Sequence, residues 1–342
     1  MARARGWRRR GRPGRFRYVD ARGNAITDAA KLERIESLRI PPAWRDVWIS
    51  PRPGAKLQAT GIDRAGRRQY LYHPDFRAQQ EQEKFDRLIR FAEKLPDLRT
   101  AMSAHMELDS FAPERVCAIA VRLVNLGWFR VGSDEYVRRY RTFGITTLRK
   151  THVRIRGSRL SFSYPGKRGA RVRTVLVDAE LARAVRDLLR LPGGRRLFRY
   201  ELDGELHNLT GRRLNEYIQE HLDPDFTVKD FRTWGGTLLA AIALAERGVP
   251  ETEAEKKRTI AAVMRIVGEK LGNTPAIARA SYVSPAVVEQ FVEGRTLDDF
   301  RPRPLRVVGA RDTELDPEER ALLSLLRSWR VRRRQAEEAE AA

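Results

Sequence analysis

The sequence is short of several things, and each shortage closes a class of function. Among 342 residues there is one cysteine, Cys117. That excludes a disulfide framework and any zinc site built on several cysteines, and it predicts a reducing, intracellular compartment. The five histidines (His73, His105, His152, His207 and His221) form no i, i+4 pair and no HExxH spacing, so neither a metal centre nor a cofactor is expected. No GxxxxGK[ST] loop occurs, which leaves an ATP-driven motor or ligase without support. The longest uncharged stretch, Thr233 to Ala245, is too short to span a bilayer, so no membrane partner is expected. Internal repeats are missing too, which argues against a solenoid. Acid is scarce at the start, where residues 1–17 hold eight arginines and no Asp or Glu.

What is abundant is positive charge. Sixty-seven Lys and Arg stand against 45 Asp and Glu, a net charge of +22, and only ten of the cations are lysine. A hydrophobic content of 42% still supplies a core, so a wholly disordered basic chain is excluded. Residues 1–17 read as a flexible, phosphate-seeking arm, dense in Gly and Arg and without an apolar face. Residues 18–326 carry +12, and +11 of it lies in residues 127–173, where thirteen cations face only Asp134 and Glu135. Trp128, Phe129, Tyr136, Tyr140, Phe143, Phe162 and Tyr164 are interleaved with them. Cations that neutralise phosphates beside flat rings suit a nucleic-acid surface. A solvated strand face with its aromatics in the core would account for the rings, but not for thirteen cations.

The length favours two domains. β-Favouring runs at Arg15 to Val19, Trp44 to Ser50, Lys56 to Gly61 and Gln69 to His73 are punctuated by Pro and Gly, with a helix over Ala29 to Leu38 between them. A long helix is predicted over Pro74 to Lys94, ended by Pro96, with Phe85, Leu88, Ile89 and Ala92 as its apolar face. Helical patterns then dominate, starting near Pro113, Asp178, Thr210, Val228, Thr252 and Asp316. Residues 151–177 instead alternate with period two and predict a three-stranded antiparallel meander. The expected fold class is therefore α+β, a small β-rich N-terminal domain followed by a larger, mostly helical domain with one small sheet. The expected divisions are an arm over 1–17, the β-rich domain over 18–94, the larger domain over 95–300 and a C-terminal extension with a helix over 301–342.

Five residues stand out for chemistry. Arg130 lies in the basic segment. Lys167 sits in Tyr164-Pro165-Gly166-Lys167-Arg168-Gly169, where Pro then Gly predicts a type II turn between two strands. Arg232 lies near the start of a helix, where its charge adds to the positive end of the dipole and favours a neighbouring anion. Asn273 reads equally as a helix cap, and Tyr282 equally as a core tyrosine with a satisfied hydroxyl. Spacing alone does not show that the five converge.

The ordered set WFRVGSDEY, YPGKRG, KDFRTWGGT and GNTPAIARASYVSP closely resembles the catalytic constellation of type IB DNA topoisomerases, in their small poxvirus-like and bacterial branch. GIDRAGRRQYLYHP resembles that branch's DNA-contacting strand, so the likeness spans most of residues 45–295 and leaves the arginine-rich head and the tail unexplained. It implies a C-shaped clamp on duplex DNA and a catalytic set of Arg130, Lys167, Arg232, Asn273 and Tyr282. Tyr282 would attack one phosphodiester to give a 3′-phosphotyrosyl link and a free 5′-hydroxyl. Arg130 and Arg232 would neutralise charge on the transferring phosphate, and Lys167 would protonate the departing 5′-oxygen. Arg67, Gln69, Tyr70, Tyr72 and Tyr136 become candidate DNA contacts. The resemblance further implies a monomer, no need for ATP or metal, and a bacterial, nucleoid-associated cytoplasmic setting. Position 273 departs from the histidine of poxvirus and eukaryotic members; an Asn amide donates to a phosphate oxygen but never becomes cationic. The alternatives are a tyrosine recombinase, whose typical His-x-x-Arg is here Lys229-x-x-Arg232, and a non-catalytic nucleoid-type DNA-binding protein.

Overall fold

The computed structural model describes residues 6–301 and 313–341. The chain divides into two compact units, residues 1–84 and 85–342.

In the first unit, strands β1 (Trp7–Arg12), β2 (Arg15–Val19), β3 (Arg45–Ile49), β4 (Leu57–Ile62) and β5 (Arg68–Tyr72) form one antiparallel sheet in the order β2-β1-β3-β4-β5. Period-two alternation sends Trp7, Val47, Ile49 and Ala59 to one face, where they form a core with Ile35 of helix α1 (Ala29–Ser37). Asp28 caps that helix by accepting from the Lys31 N–H at 2.9 Å.

The arginine-rich head differs from its expected flexibility. From Trp7 it is the β1–β2 hairpin, turned by Pro13 and by Gly14 at φ +85°. The inward positions of this pair are Trp7, Arg9, Phe16 and Tyr18, so an arginine hides the alternation. Arg9 lies 4.1 Å over the Phe16 ring and donates to the carbonyls of Pro41 and Trp44, which satisfies its head while its stem covers the sheet. Residues 1–5 of the expected arm lie outside the described residues.

Helix α2 runs over Pro74–Met106 and carries the division between the units inside it. It does not stop before Pro96. The apolar stripe of Phe85, Leu88, Ile89 and Ala92 continues through Leu95, Leu98 and Met102, all buried. That burial outweighs the roughly 3 kcal/mol cost of an interior proline.

In the second unit, α3 (Pro113–Gly127) is the hub, buried continuously from Arg115 to Val124. Its two interior arginines are paired, Arg115 with Asp187 at 3.0 Å and Arg122 with Asp178 at 3.1 Å. After α4 (Asp134–Tyr140) comes the expected meander, β6 (Val153–Arg156), β7 (Arg159–Pro165) and β8 (Arg171–Val177), in the order β6-β7-β8. The helix α5 (Ala179–Arg190) follows, then a short hairpin of β9 (Arg199–Leu202) and β10 (Glu205–Asn208) that the sequence pattern did not reveal. Five helices complete the segment that carries the motifs and its sequel: α6 (Gly211–His221), α7 (Val228–Ala245), α8 (Glu253–Leu271), α9 (Pro275–Tyr282) and α10 (Pro285–Val292).

The last helix, α11 (Pro317–Ala341), is part of this core and not an appendage. Ala321, Leu322, Leu325, Leu326 and Trp329 are buried. Glu319 accepts two hydrogen bonds from Arg99 at 2.7 and 2.8 Å and one from the Trp234 indole of α7 at 3.1 Å, all three residues being buried. Removing one partner of such a pair leaves a buried charge uncompensated, which costs about 3–5 kcal/mol. Glu319→Ala is therefore expected to lower the denaturant midpoint by a corresponding amount, with Glu319→Gln milder. An unchanged midpoint would show that Arg99 finds its counter-charge elsewhere. Among the described residues, no helix is long and apolar enough to cross a membrane.

Candidate active site

The five motif residues come from four places in the second unit. Arg130 follows α3, Lys167 lies in the turn between β7 and β8, Arg232 is in the second turn of α7, and Asn273 and Tyr282 bracket α9. Local sequence explains each placement. Thr227 and Asp230 form a reciprocal cap that starts α7, with Asp230 accepting from the Thr227 N–H at 2.9 Å. Gly272 ends α8 in the left-handed region at φ +62°. Thr274, not Asn273, caps α9 by accepting from the Ile277 N–H at 3.3 Å, with Pro275 in the first turn.

That assignment frees Asn273 for another partner. Its Oδ1 accepts from Arg130 Nη2 at 2.9 Å, and the same nitrogen donates to the Gly272 carbonyl at 2.9 Å. Arg232 is anchored in the same way, Nη1 donating to the Trp128 carbonyl at 2.6 Å and Nη2 to the Leu271 carbonyl at 2.7 Å. The carbonyls left open at the C-terminal end of α8 thus hold both guanidinium groups, which suits the negative end of a helix dipole.

Arg232 is only 5% exposed, and its Nε is buried without a partner. Burial, followed by the neighbouring Arg130 charge, lowers its pKa to about 10, so it remains cationic at neutral pH. Its guanidinium carbon lies 5.1 Å from the Tyr282 ring centroid. Burial alone would push the Tyr282 hydroxyl up, but the Arg232 charge, a hydrogen bond from the same guanidinium, and the charges of Arg130 and Lys229 outweigh it and bring the pKa below the usual phenol value. Two neighbouring cations beside a phenol make a site suited to an anion.

A cleft of about 220 Å³ is lined by Arg130, Arg232, Lys167 and the Arg171 and Arg173 side of β8. Lys167 is exposed at its rim. The turn that carries it is not type II, since Gly166 has φ −96°; a single 3₁₀ turn over Lys167–Gly169 is used, with Gly169 taking the positive φ of +76°. Arg130, Lys167 and exposed Tyr136 also line an adjoining cleft. The rings of the basic segment divide as the two readings of them require. Phe129, Phe162 and Tyr164 are buried, whereas Tyr136 and Tyr140 are exposed with centroids 5.6 Å apart.

Several supporting residues were not singled out in the sequence. Thr237 Oγ1 donates to the Tyr282 carbonyl at 3.2 Å and accepts from the Ser284 N–H at 3.1 Å, which fixes the chain on both sides of Val283. The paired glycines of KDFRTWGGT permit close approach: a Cβ on Gly236 would lie 2.7 Å from the Tyr282 carbonyl oxygen, and one on Gly235 would lie 2.1 Å from the Trp128 indole nitrogen. A Gly-Gly pair inside a helical pattern was the available signal.

The remaining candidates lie in the first unit. Tyr70 and Tyr72 are exposed and stacked, with centroids 6.2 Å apart. Arg67 and Gln69 are both tied to Asp63, at 2.8 and 2.9 Å, and Gln69 points from the opposite face of β5 to Tyr70. The Arg67 backbone N–H, donating to Asp63 Oδ1 at 3.0 Å, and then the two side chains hold the Asp63 carboxyl down at about 2.

Residues 73–293 match the family profile of the eukaryotic DNA topoisomerase I catalytic core, and residues 15–63 match that of the bacterial DNA topoisomerase IB N-terminal domain. The chain belongs to the type IB DNA topoisomerases, isomerases that relax supercoiled duplex DNA by transient single-strand cleavage through a 3′-phosphotyrosyl intermediate, strand rotation and religation. It is 33% identical to the DNA topoisomerase 1B of Acanthamoeba polyphaga mimivirus over 285 residues, covering 81% of this chain and 84% of that protein. DNA topoisomerase I of Monkeypox virus and DNA topoisomerase 1B of Vaccinia virus (strain Copenhagen) are each 23% identical over 278 residues, covering 79% of this chain and 85% of theirs.

Proposed function

We propose that Tyr282 is the nucleophile, Arg130 and Arg232 the phosphate clamp, Lys167 the general acid for the departing 5′-oxygen, and Asn273 a neutral donor to a non-bridging oxygen. The observation that carries this assignment is the convergence of two carbonyl-anchored guanidinium groups, Arg130 and Arg232, on the Tyr282 phenol, whose pKa they lower. A phosphodiester entering the cleft would accept from both guanidinium groups and relieve the repulsion between them. Attack by the phenolate forms the Tyr282–phosphorus bond as the phosphorus–5′-oxygen bond breaks, and the proton from Lys167 completes the 5′-hydroxyl. Reversal restores the DNA backbone, because the phosphotyrosine keeps the energy of the original ester. No nucleotide hydrolysis is then required.

Asn273 holds Arg130 with its Oδ1 and donates one amide hydrogen to the Leu271 carbonyl at 3.4 Å, which leaves the second amide hydrogen for the phosphate. The reading extends to a monomer acting on duplex DNA, with Tyr70, Tyr72, Arg67, Gln69 and Tyr136 as DNA contacts, working on a bacterial nucleoid. Support for the bacterial setting comes from the N-terminal match. The test is relaxation of negatively and positively supercoiled plasmid in EDTA without ATP. Both are expected to relax; well-folded protein that leaves them supercoiled would sink the reading.

A further inference from the structure

The outward face of the N-terminal sheet carries charge that the cleavage site does not use. Arg10 stands directly opposite Arg17, and Arg12 opposite Arg15, in the register of β1 and β2. All four are exposed. Like charges opposite one another destabilise an antiparallel pair. No Asp or Glu occurs between residues 6 and 19 to relieve them. A hairpin that keeps such repulsion in the free protein gains stability when an anion lies across it.

The same face runs on without a break. Arg8 pairs with Val19 on one side and with Trp48 on the other; Trp48 pairs with Thr60, and Thr60 with Tyr70. Directly paired residues share a face, so the arginines of the hairpin and the stacked Tyr70 and Tyr72 rings point the same way. The core of the unit, including Trp7, Ile49 and Ala59, fills the other side. Neighbouring strands are about 4.8 Å apart, so β2 lies roughly 19 Å across the sheet from β5, the rise of five to six base pairs of duplex.

We propose that the arginine face of β1 and β2 is a phosphate-binding track for duplex DNA, continuous with the face of Tyr70 and Tyr72. It lengthens the footprint on one side by about half a helical turn and supplies affinity without touching the chemistry. The occupant follows from complementarity: the five guanidinium groups of Arg8, Arg10, Arg12, Arg15 and Arg17, with no acid on their own two strands, match a regularly spaced phosphate backbone. The proposal rests on the chain being a DNA topoisomerase.

The test compares the full chain with a variant carrying Arg10→Gln, Arg12→Gln, Arg15→Gln and Arg17→Gln. Binding is followed by fluorescence anisotropy over a salt series, on a long duplex and on a nested set trimmed from one end. Each lost phosphate contact reduces the salt slope by about 0.9. On the long duplex the variant is expected to show a slope shallower by about two or more and affinity at least about tenfold weaker. The two proteins should converge once trimming passes the reach of the hairpin. The rate of covalent adduct formation at saturating DNA should stay at its wild-type value.

Equal slopes and affinities on every duplex would overturn the proposal. Misfolding is controlled by a second variant, Arg10→Glu, which pairs with Arg17 and should leave the melting temperature unchanged or higher while weakening DNA binding. Unchanged or tighter binding by that variant would also overturn it. Failure of the topoisomerase reading looks different, because the wild-type protein itself would then form no adduct and relax nothing.

Discussion

Replacing Tyr282 by phenylalanine is expected to give a protein that binds duplex DNA and neither cuts nor relaxes it. The ring remains, and with it the packing against Arg232, 5.1 Å from its centroid. The hydroxyl's hydrogen bond with the Arg232 guanidinium is lost, so stability should fall by about 1–2 kcal/mol while duplex affinity stays near the wild type. Loss of a covalent nucleophile typically lowers turnover by about four orders of magnitude or more. The measurement is an SDS-trapped protein–DNA adduct from a labelled nicking substrate, with relaxation of plasmid alongside. An adduct from the phenylalanine variant would move the nucleophile to another side chain.

Arg232 is expected to be the second most sensitive position. Its two bonds to the Trp128 and Leu271 carbonyls hold a fork whose Nε points to no protein acceptor. On the proposed assignment, Arg232→Gln removes a charge aimed at the transferring phosphate and should slow single-turnover cleavage by about a thousandfold. Arg232→Lys should rescue little, because a point charge cannot bridge two carbonyls and still present a planar donor pair. The pH profile separates this role from a merely structural one. The phenolate form increases with pH, and the arginine charges place its midpoint below that of free tyrosine, about 10. In Arg232→Gln the largest favourable influence is gone and burial prevails, so the midpoint should rise. A slow variant with an unmoved midpoint would assign Arg232 to positioning alone.

Much of the architecture was legible because its signals are local. Asp28, Asp178, Thr210 and Thr252 each cap the helix that the sequence places after them. The meander over residues 153–177 alternates cleanly, with Leu160, Phe162 and Tyr164 inward. The head was misread because Arg9 occupies an inward position, so a strand with a buried face looked like a charge run. Helix α2 was cut short because a proline signal is local, whereas the burial that overrides it comes from partners such as Phe226 and Phe231, both touching Phe91. The β9–β10 hairpin is largely exposed and has no apolar alternation to betray it.

The site was legible as residue types but not as a constellation. Arg130 meets Gly272 across 142 positions, and Arg232 meets Trp128 across 104. No window of sequence contains such a pair. The resemblance of the ordered motifs brought the five residues together; the structure adds the carbonyl anchors at the end of α8 and the different cap of α9. It also splits the candidate contacts on β5, placing Gln69 on one face and Tyr70 on the other.

The buried triad of Arg99, Glu319 and Trp234 bears on the order in which the protein matures. Arg99 and the whole of α7 leave the ribosome well before Glu319, and until α11 docks, Arg99 has no buried counter-charge from Glu319 and Trp234 no acceptor. Trp234 sits two residues beyond Arg232, so α7 acquires its buried indole acceptor only once α11, synthesised about 80 residues later, has docked.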